Sequence, residues 1–132
     1  MQLRVEHIGL PARDPAALAD WYVRTLGAAP VDLGAAGPPF FVALPGGTVL
    51  EIYTAAASGP QTGENGLAGF RHLALRVDSI AAAQAELAAK GVAFPDPVKP
   101  AAGGGQVLFF RDLEGNLLHF VERPAGFALG PR

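Results

Sequence analysis

From Leu3 to Leu10 apolar and polar positions alternate, with Leu3, Val5, His7 and Gly9 on one side and Arg4, Glu6, Ile8 and Leu10 on the other. This period of two predicts a strand. Asp14-Pro15 then supplies an N-cap and a proline at the first helical position, and Leu18, Trp21, Tyr22, Thr25 and Leu26 recur with helical spacing up to Gly27. Short strands are expected over Ala29 to Leu33 and Pro39 to Leu44, broken by Gly34, Gly37 and Pro38, and a longer one over Thr48 to Thr54. Residues 55–68, rich in turn formers and without periodicity, read as a linker or surface loop. The pattern then starts again. A strand is expected over Phe70 to Val77, followed by a helix capped by Asp78, with Ile80, Ala83 and Leu87 on one face and Lys90-Gly91 at its end. Three further strands are expected, over Val92 to Val98, Gln106 to Arg111 and Leu117 to Glu122.

Both halves therefore read βαβββ, and counting positions shows an internal repeat. His7 in HIGL and His72 in HLAL lie 65 positions apart, the helix-ending Gly27 and Gly91 lie 64 apart, and Glu51 in GTVLEI falls 68 before His119 in GNLLHF. The expected fold class is α+β. A single domain over 1–132 would hold two βαβββ modules, about 1–54 and about 69–124, in a cupped mixed sheet with helices on the convex side.

Composition narrows the function. Half the residues are hydrophobic and only 17% charged, enough to bury a sizeable core. A net charge of −2 offers no basic field for nucleic acid or an anionic membrane. No apolar run of about 18 or more residues is present, and charges interrupt the N-terminal stretch where a signal peptide needs an apolar core, so a cytoplasmic location is expected. With no cysteine, thiolate nucleophiles and Cys-ligated metals are excluded, and any metal must be held by His and carboxylate.

All three histidines and Glu51 occupy the first or last strand of a repeat, each flanked by apolar residues: Ile8 beside His7, Leu50 and Ile52 beside Glu51, Leu73 beside His72, Leu118 and Phe120 beside His119. Successive strand side chains point to opposite faces. One face is therefore hydrophobic and packs under the helices, while the other carries His or Glu. If the first and last strands of each repeat lie side by side, His7, Glu51, His72 and His119 are expected to meet on the concave side as ligands for zinc, nickel, iron, cobalt or manganese. Arg76 shares a face with His72 and Tyr53 with Glu51, and both are candidates for substrate contact, with Arg111 as a further cation. Asp14 and Asp78 are expected to cap helices, and Asp112, Glu114 and Asn116 to form a turn. Glu6, Arg71 and Glu122 are expected in solvated structural roles.

The segments VEHIGLPARDPAALADWYVRTLG, GGTVLEIY, FRHLALRVDSIAAAQAELAAKG and RDLEGNLLHFVE resemble the vicinal oxygen chelate superfamily, the glyoxalase, bleomycin-resistance and extradiol-dioxygenase group. The last segment is similar to the family's DPxGNxxEL signature, with Leu113 where proline is usual and His119 where the glutamate ligand is usual. The resemblance implies paired βαβββ modules, a divalent metal in the cup and a homodimer, and by position it places the family's ligand slots on His7, Glu51, His72 and His119. It implies a small-molecule substrate bound through two neighbouring oxygens. Four protein ligands leave two places free on an octahedral ion, and three histidines with one carboxylate leave a divalent ion at about +1, which favours anionic substrates. Glu51, the one carboxylate of the set, is then the candidate catalytic base as well as a ligand. The expected function is a metal-dependent glyoxalase-like lyase or isomerase. Alternatives are an iron(II) ring-cleaving dioxygenase and an antibiotic-resistance protein, either a fosfomycin thiol transferase or a drug-binding protein.

Overall fold

The computed structural model describes residues 1–59 and 63–129. The chain forms two compact units; one gathers the first repeat together with Asp112–Glu114, and the other holds the rest of the second repeat. Within the expected linker, residues 60–62 lie outside the described ones, and the others carry neither helix nor strand.

The first unit runs β1 (His7–Ala12), α1 (Pro15–Leu26), β2 (Ala29–Val31), β3 (Phe40–Ala43) and β4 (Val49–Thr54). Its sheet has the order β1-β4-β3-β2. The first and last strands are neighbours and parallel, and the register sets Gly9 beside Glu51. Helix α1 begins where Asp14 Oδ1 accepts from the Ala17 N–H at 3.0 Å and ends at Gly27, whose left-handed φ of 71° costs a residue without a Cβ little. Leu18, Tyr22 and Thr25 are buried on the helix, and Val42, Leu50 and Ile52 on the strands beneath it. Leu18, Leu50 and Ile52 are 0% exposed, worth about 1.5–3 kcal/mol each.

The second unit repeats the order with β5 (His72–Arg76), α2 (Ile80–Ala89), β6 (Lys99–Pro100), β7 (Gln106–Arg111) and β8 (Leu117–Glu122). Its sheet order is β5-β8-β7-β6, again with first and last strands parallel, and Ala74 lies beside His119. Ile80 and Leu87 of α2 are buried, as are Leu108, Phe110, Leu118 and Phe120.

Beyond shifts of one or two residues at strand ends, the elements differ from expectation at three points. Strand β1 starts at His7, and the alternating Leu3 and Val5 before it stay exposed at 81% and 77%. The cap of α2 is Ser79, not Asp78: Ser79 has extended backbone directly before the first helical residue, and its Oγ accepts from the Ala82 N–H at 3.2 Å. No strand forms over Val92 to Val98, and the ladder is confined to Lys99–Pro100. Pro95 and Pro97 have no N–H to donate. The segment contributes a core aromatic instead, with the Phe94 ring 5.6 Å from Phe110 and 6.4 Å from Phe120. Among the described residues no helix is long and apolar enough to cross a membrane.

Candidate metal centre

In the first unit, strand alternation puts Leu50 and Ile52 under α1, while Ile8 stays 37% exposed, and turns His7 and Glu51 to the opposite face. There His7 Nε2 lies 2.8 Å from Glu51 Oε2, with the two side chains 34% and 25% exposed. The other ring nitrogen, Nδ1, lies 3.2 Å from Glu6 Oε2. Phe41, the β3 neighbour of Glu51, meets the imidazole edge to face at 5.9 Å.

In the second unit the same face of the sheet brings His72 and His119 together with ring centroids 4.7 Å apart. Phe109, the β7 neighbour of His119, closes the group at 4.8 Å from His119 and 6.0 Å from His72. His72 is exposed, whereas His119 is buried at 7%. Burial pushes the His119 pKa below its ordinary value; its hydrogen bond to the Phe120 carbonyl works against this, and electrostatic interaction with nearby His72 and Arg123 adds to the depression. His119 is thus a neutral imidazole at neutral pH.

All three histidines engage the same ring nitrogen. Nδ1 faces Glu6 Oε2 in His7, Asn65 Oδ1 in His72 at 2.7 Å, and the Phe120 carbonyl in His119 at 3.1 Å. An imidazole that donates from Nδ1 keeps its Nε2 lone pair, as in His72 and His119, and metal-bound histidines are held in this way by an acceptor behind the ring. His7 differs, because its Nε2 also meets an acceptor, Glu51 Oε2 at 2.8 Å. The donor chemistry of each pair fits a divalent ion. Among the described residues the donors stand as two pairs, and no group of three or more His, Cys, Asp or Glu side chains is placed to hold an ion.

The substrate candidates fare unequally. Tyr53 shares the Glu51 face at 39% exposure; its ring rests on Gly9, where an added Cβ would come within 3.3 Å of Cε1. Arg76 donates to the Phe127 carbonyl at 3.3 Å. Arg111 gives its guanidinium to the carbonyls of Gly115 and Gly63 at 3.3 and 3.4 Å. Several contributors were not singled out by sequence reasoning. Phe41 and Phe109 are 68 positions apart, the offset of Glu51 and His119, so the repeat carried their signal. Lys99, across from Val107 on the Phe109 face, has its Nζ 5.9 Å from that ring. Asn65 lies in the stretch read as linker, and Glu6, solvated as expected at 89% exposure, also meets His7 Nδ1.

The expected turn over Asp112, Glu114 and Asn116 also does more than reverse the chain. Asp112, 6% exposed, accepts the Tyr22 hydroxyl at 2.8 Å, and burial followed by that carboxylate's charge drives the phenol pKa far upward. Glu114 accepts from Arg13 at 2.7 Å and from the Asp14 N–H at 2.9 Å. A cleft of about 320 Å³ lies on the helix side of the first unit, lined by Asp20, Val23, Leu33 and Phe40 among others; it holds none of the four candidate ligands.

A βαβββ unit used twice, with histidine on each first strand and His or Glu on each last strand, is the architecture of glyoxalase-like proteins. The family model for the Glyoxalase/Bleomycin resistance protein/Dioxygenase superfamily matches residues 4–120, and the chain belongs to this superfamily. Among solved structures it is similar to a glyoxylase/bleomycin resistance protein/dioxygenase domain from Frankia sp. EAN1pec, at 25% identity and TM-score 0.73 over 96% of each chain. A glyoxalase family protein from Enterococcus faecalis is similar at 25% identity and TM-score 0.73, over 90% of this chain and 97% of that one. A variant of the fosfomycin resistance protein FosX from Listeria monocytogenes, solved with manganese(II) and dihydroxypropylphosphonic acid, shares the fold at 16% identity and TM-score 0.71 over 95% of each chain. No curated protein sequence matches.

Proposed function

We propose that this chain is a divalent-metal-dependent lyase or isomerase of the glyoxalase type, acting on a small anionic substrate through two neighbouring oxygens. The candidate ligand pairs are His7 with Glu51 and His72 with His119. The observation that carries this reading is the tether on Nδ1 of His72 and His119, which leaves Nε2 of both as the metal-binding atom, while His7 Nε2 stands against Glu51 Oε2. When bound, zinc, nickel, iron, cobalt or manganese supplies Lewis-acid polarisation of the substrate oxygens.

The side chains do the rest. Glu51 is the one carboxylate of the set and takes up the substrate proton at its carboxylate oxygens, beside His7. Tyr53 and Arg76 line the faces on which the pairs stand, and the Lys99 ammonium beside Phe109 adds positive charge there, in keeping with an anionic substrate. The proposed setting is the cytoplasm and the proposed state a homodimer. The test is elemental analysis of protein purified without added metal, compared with His72→Ala. Stoichiometric metal in the wild type and its loss in the variant are expected. A wild type that stays metal-free after reconstitution sinks the proposal.

A further inference from the structure

We propose that Asn65 is the positioning residue for His72 and that the Gly63–Asn65 strap carrying it is fastened by Arg111. The step from ring orientation to metal affinity rests on the function proposed above; the hold on the ring does not.

His72 is exposed, so packing alone leaves its imidazole free to turn and to exchange its proton between nitrogens. Asn65 Oδ1 at 2.7 Å from Nδ1 fixes both, because an amide oxygen only accepts and therefore selects the Nδ1–H form. Phe109 and His119 flank the ring at 6.0 and 4.7 Å but offer no acceptor to Nδ1 that would choose between the two forms. A loop asparagine performs this task only if its backbone is held. Arg111 supplies the hold. Its guanidinium bridges the carbonyls of Gly115, at the start of the approach to β8, and Gly63, two residues before Asn65. A Cβ on Gly63 would fall inside the space the guanidinium occupies, so the strap has glycine where the arginine passes. Arg111, which looked like a cation offered to substrate, is in this reading a fastener. The chain Arg111–Gly63–Asn65–His72 lies wholly within the second unit.

The test uses the full chain without metal, labelled with ¹⁵N, and reads the two ring shifts of His72; cobalt(II) is then titrated. In the wild type the proton is expected on Nδ1. Asn65→Ala should move it toward the Nε2–H form that free histidine prefers and weaken cobalt(II) binding about 10- to 100-fold. Asn65→Asp, which restores an acceptor oxygen, should recover most of the loss. Gly63→Ala should give the same tautomer change with Asn65 still present. An unchanged tautomer and affinity in Asn65→Ala overturn the positioning role, and an unchanged tautomer in Gly63→Ala overturns the strap. A wild type that shows the Nδ1–H form yet takes up no cobalt(II) supports the hold on the ring and overturns the metal-enzyme reading.

Discussion

The two modules share a register, and their last strands differ in wetness. Gly9 and Phe41 flank Glu51 as Ala74 and Phe109 flank His119, strand for strand. On β4 the face bearing Glu51 is only partly covered, and Tyr53 stands 39% exposed. On β8 the corresponding Leu117, His119 and Val121 are 8, 7 and 6% exposed. The residue types follow the surroundings. A carboxylate keeps part of its hydration at position 51, whereas at 119 it would face aromatic rings and a carbonyl that accepts and cannot donate. An imidazole, neutral once burial has lowered its pKa, meets that carbonyl with Nδ1–H. The departure of the last strand from the family signature is thus matched to the dry face of β8, and the carboxylate is kept on the wetter face of β4.

This comparison breaks most decisively where the modules are taken to be alike. Leu50 and Leu118 lie 68 positions apart and are both 0% exposed under their helices. Leu50→Ala and Leu118→Ala are each expected to cost about 2–5 kcal/mol in urea unfolding of the metal-free protein. A negligible loss at either position contradicts the equivalence of the closed faces. The difference between the open faces is sharpened by exchanging the polar residues. His119→Glu, which restores the family's usual residue, should cost about 1–3 kcal/mol without metal, because a desolvated acceptor then meets an acceptor. Glu51→His should cost a fraction of that. Equal losses would mean that wetness does not sort the two residue types.

How much of this was legible in the sequence follows from the range of the interaction. Alternation and the repeat located the strands bearing His7, Glu51, His72 and His119, and β7 and β8 have the limits their patterns predict, because strand faces are set by residues two apart. That first and last strands lie side by side entered as a condition, and the structure supplies both the pairing and its parallel sense. Asn65 was hidden because its role depends on a loop returning to a strand seven residues on, with no period to mark it. Asp112 and Glu114 looked like turn formers because a turn and a clasp onto α1 use the same residues. Leu3 and Val5 had the alternation of a strand but, among the described residues, no neighbouring strand to pair with, and a periodic pattern does not supply a partner.

The smallest expected effect separates the two helix starts. Each receives a distant carboxylate: Glu114 accepts the Asp14 N–H at 2.9 Å before α1, and Glu122 accepts the Ile80 N–H at 2.7 Å at the start of α2. An anion at a helix N-terminus is worth about 0.3–1 kcal/mol, and more when partly buried. At Glu114, burial raises the pKa, but the Asp14 N–H and then the Arg13 guanidinium outweigh it and hold the carboxyl below its ordinary value near 4.5. The unfolded chain therefore binds the proton first as pH falls. The contribution is fully present above about pH 4.5 and is lost as pH drops through the lowered folded value. Glu114→Gln should consequently be less stable than wild type by about 1 kcal/mol at pH 7, with the gap between urea midpoints closing as pH falls below 4.5. A gap that stays constant from pH 7 to pH 3 would show that Glu114 holds the start of α1 by shape and hydrogen-bond count alone, and that its charge contributes nothing there.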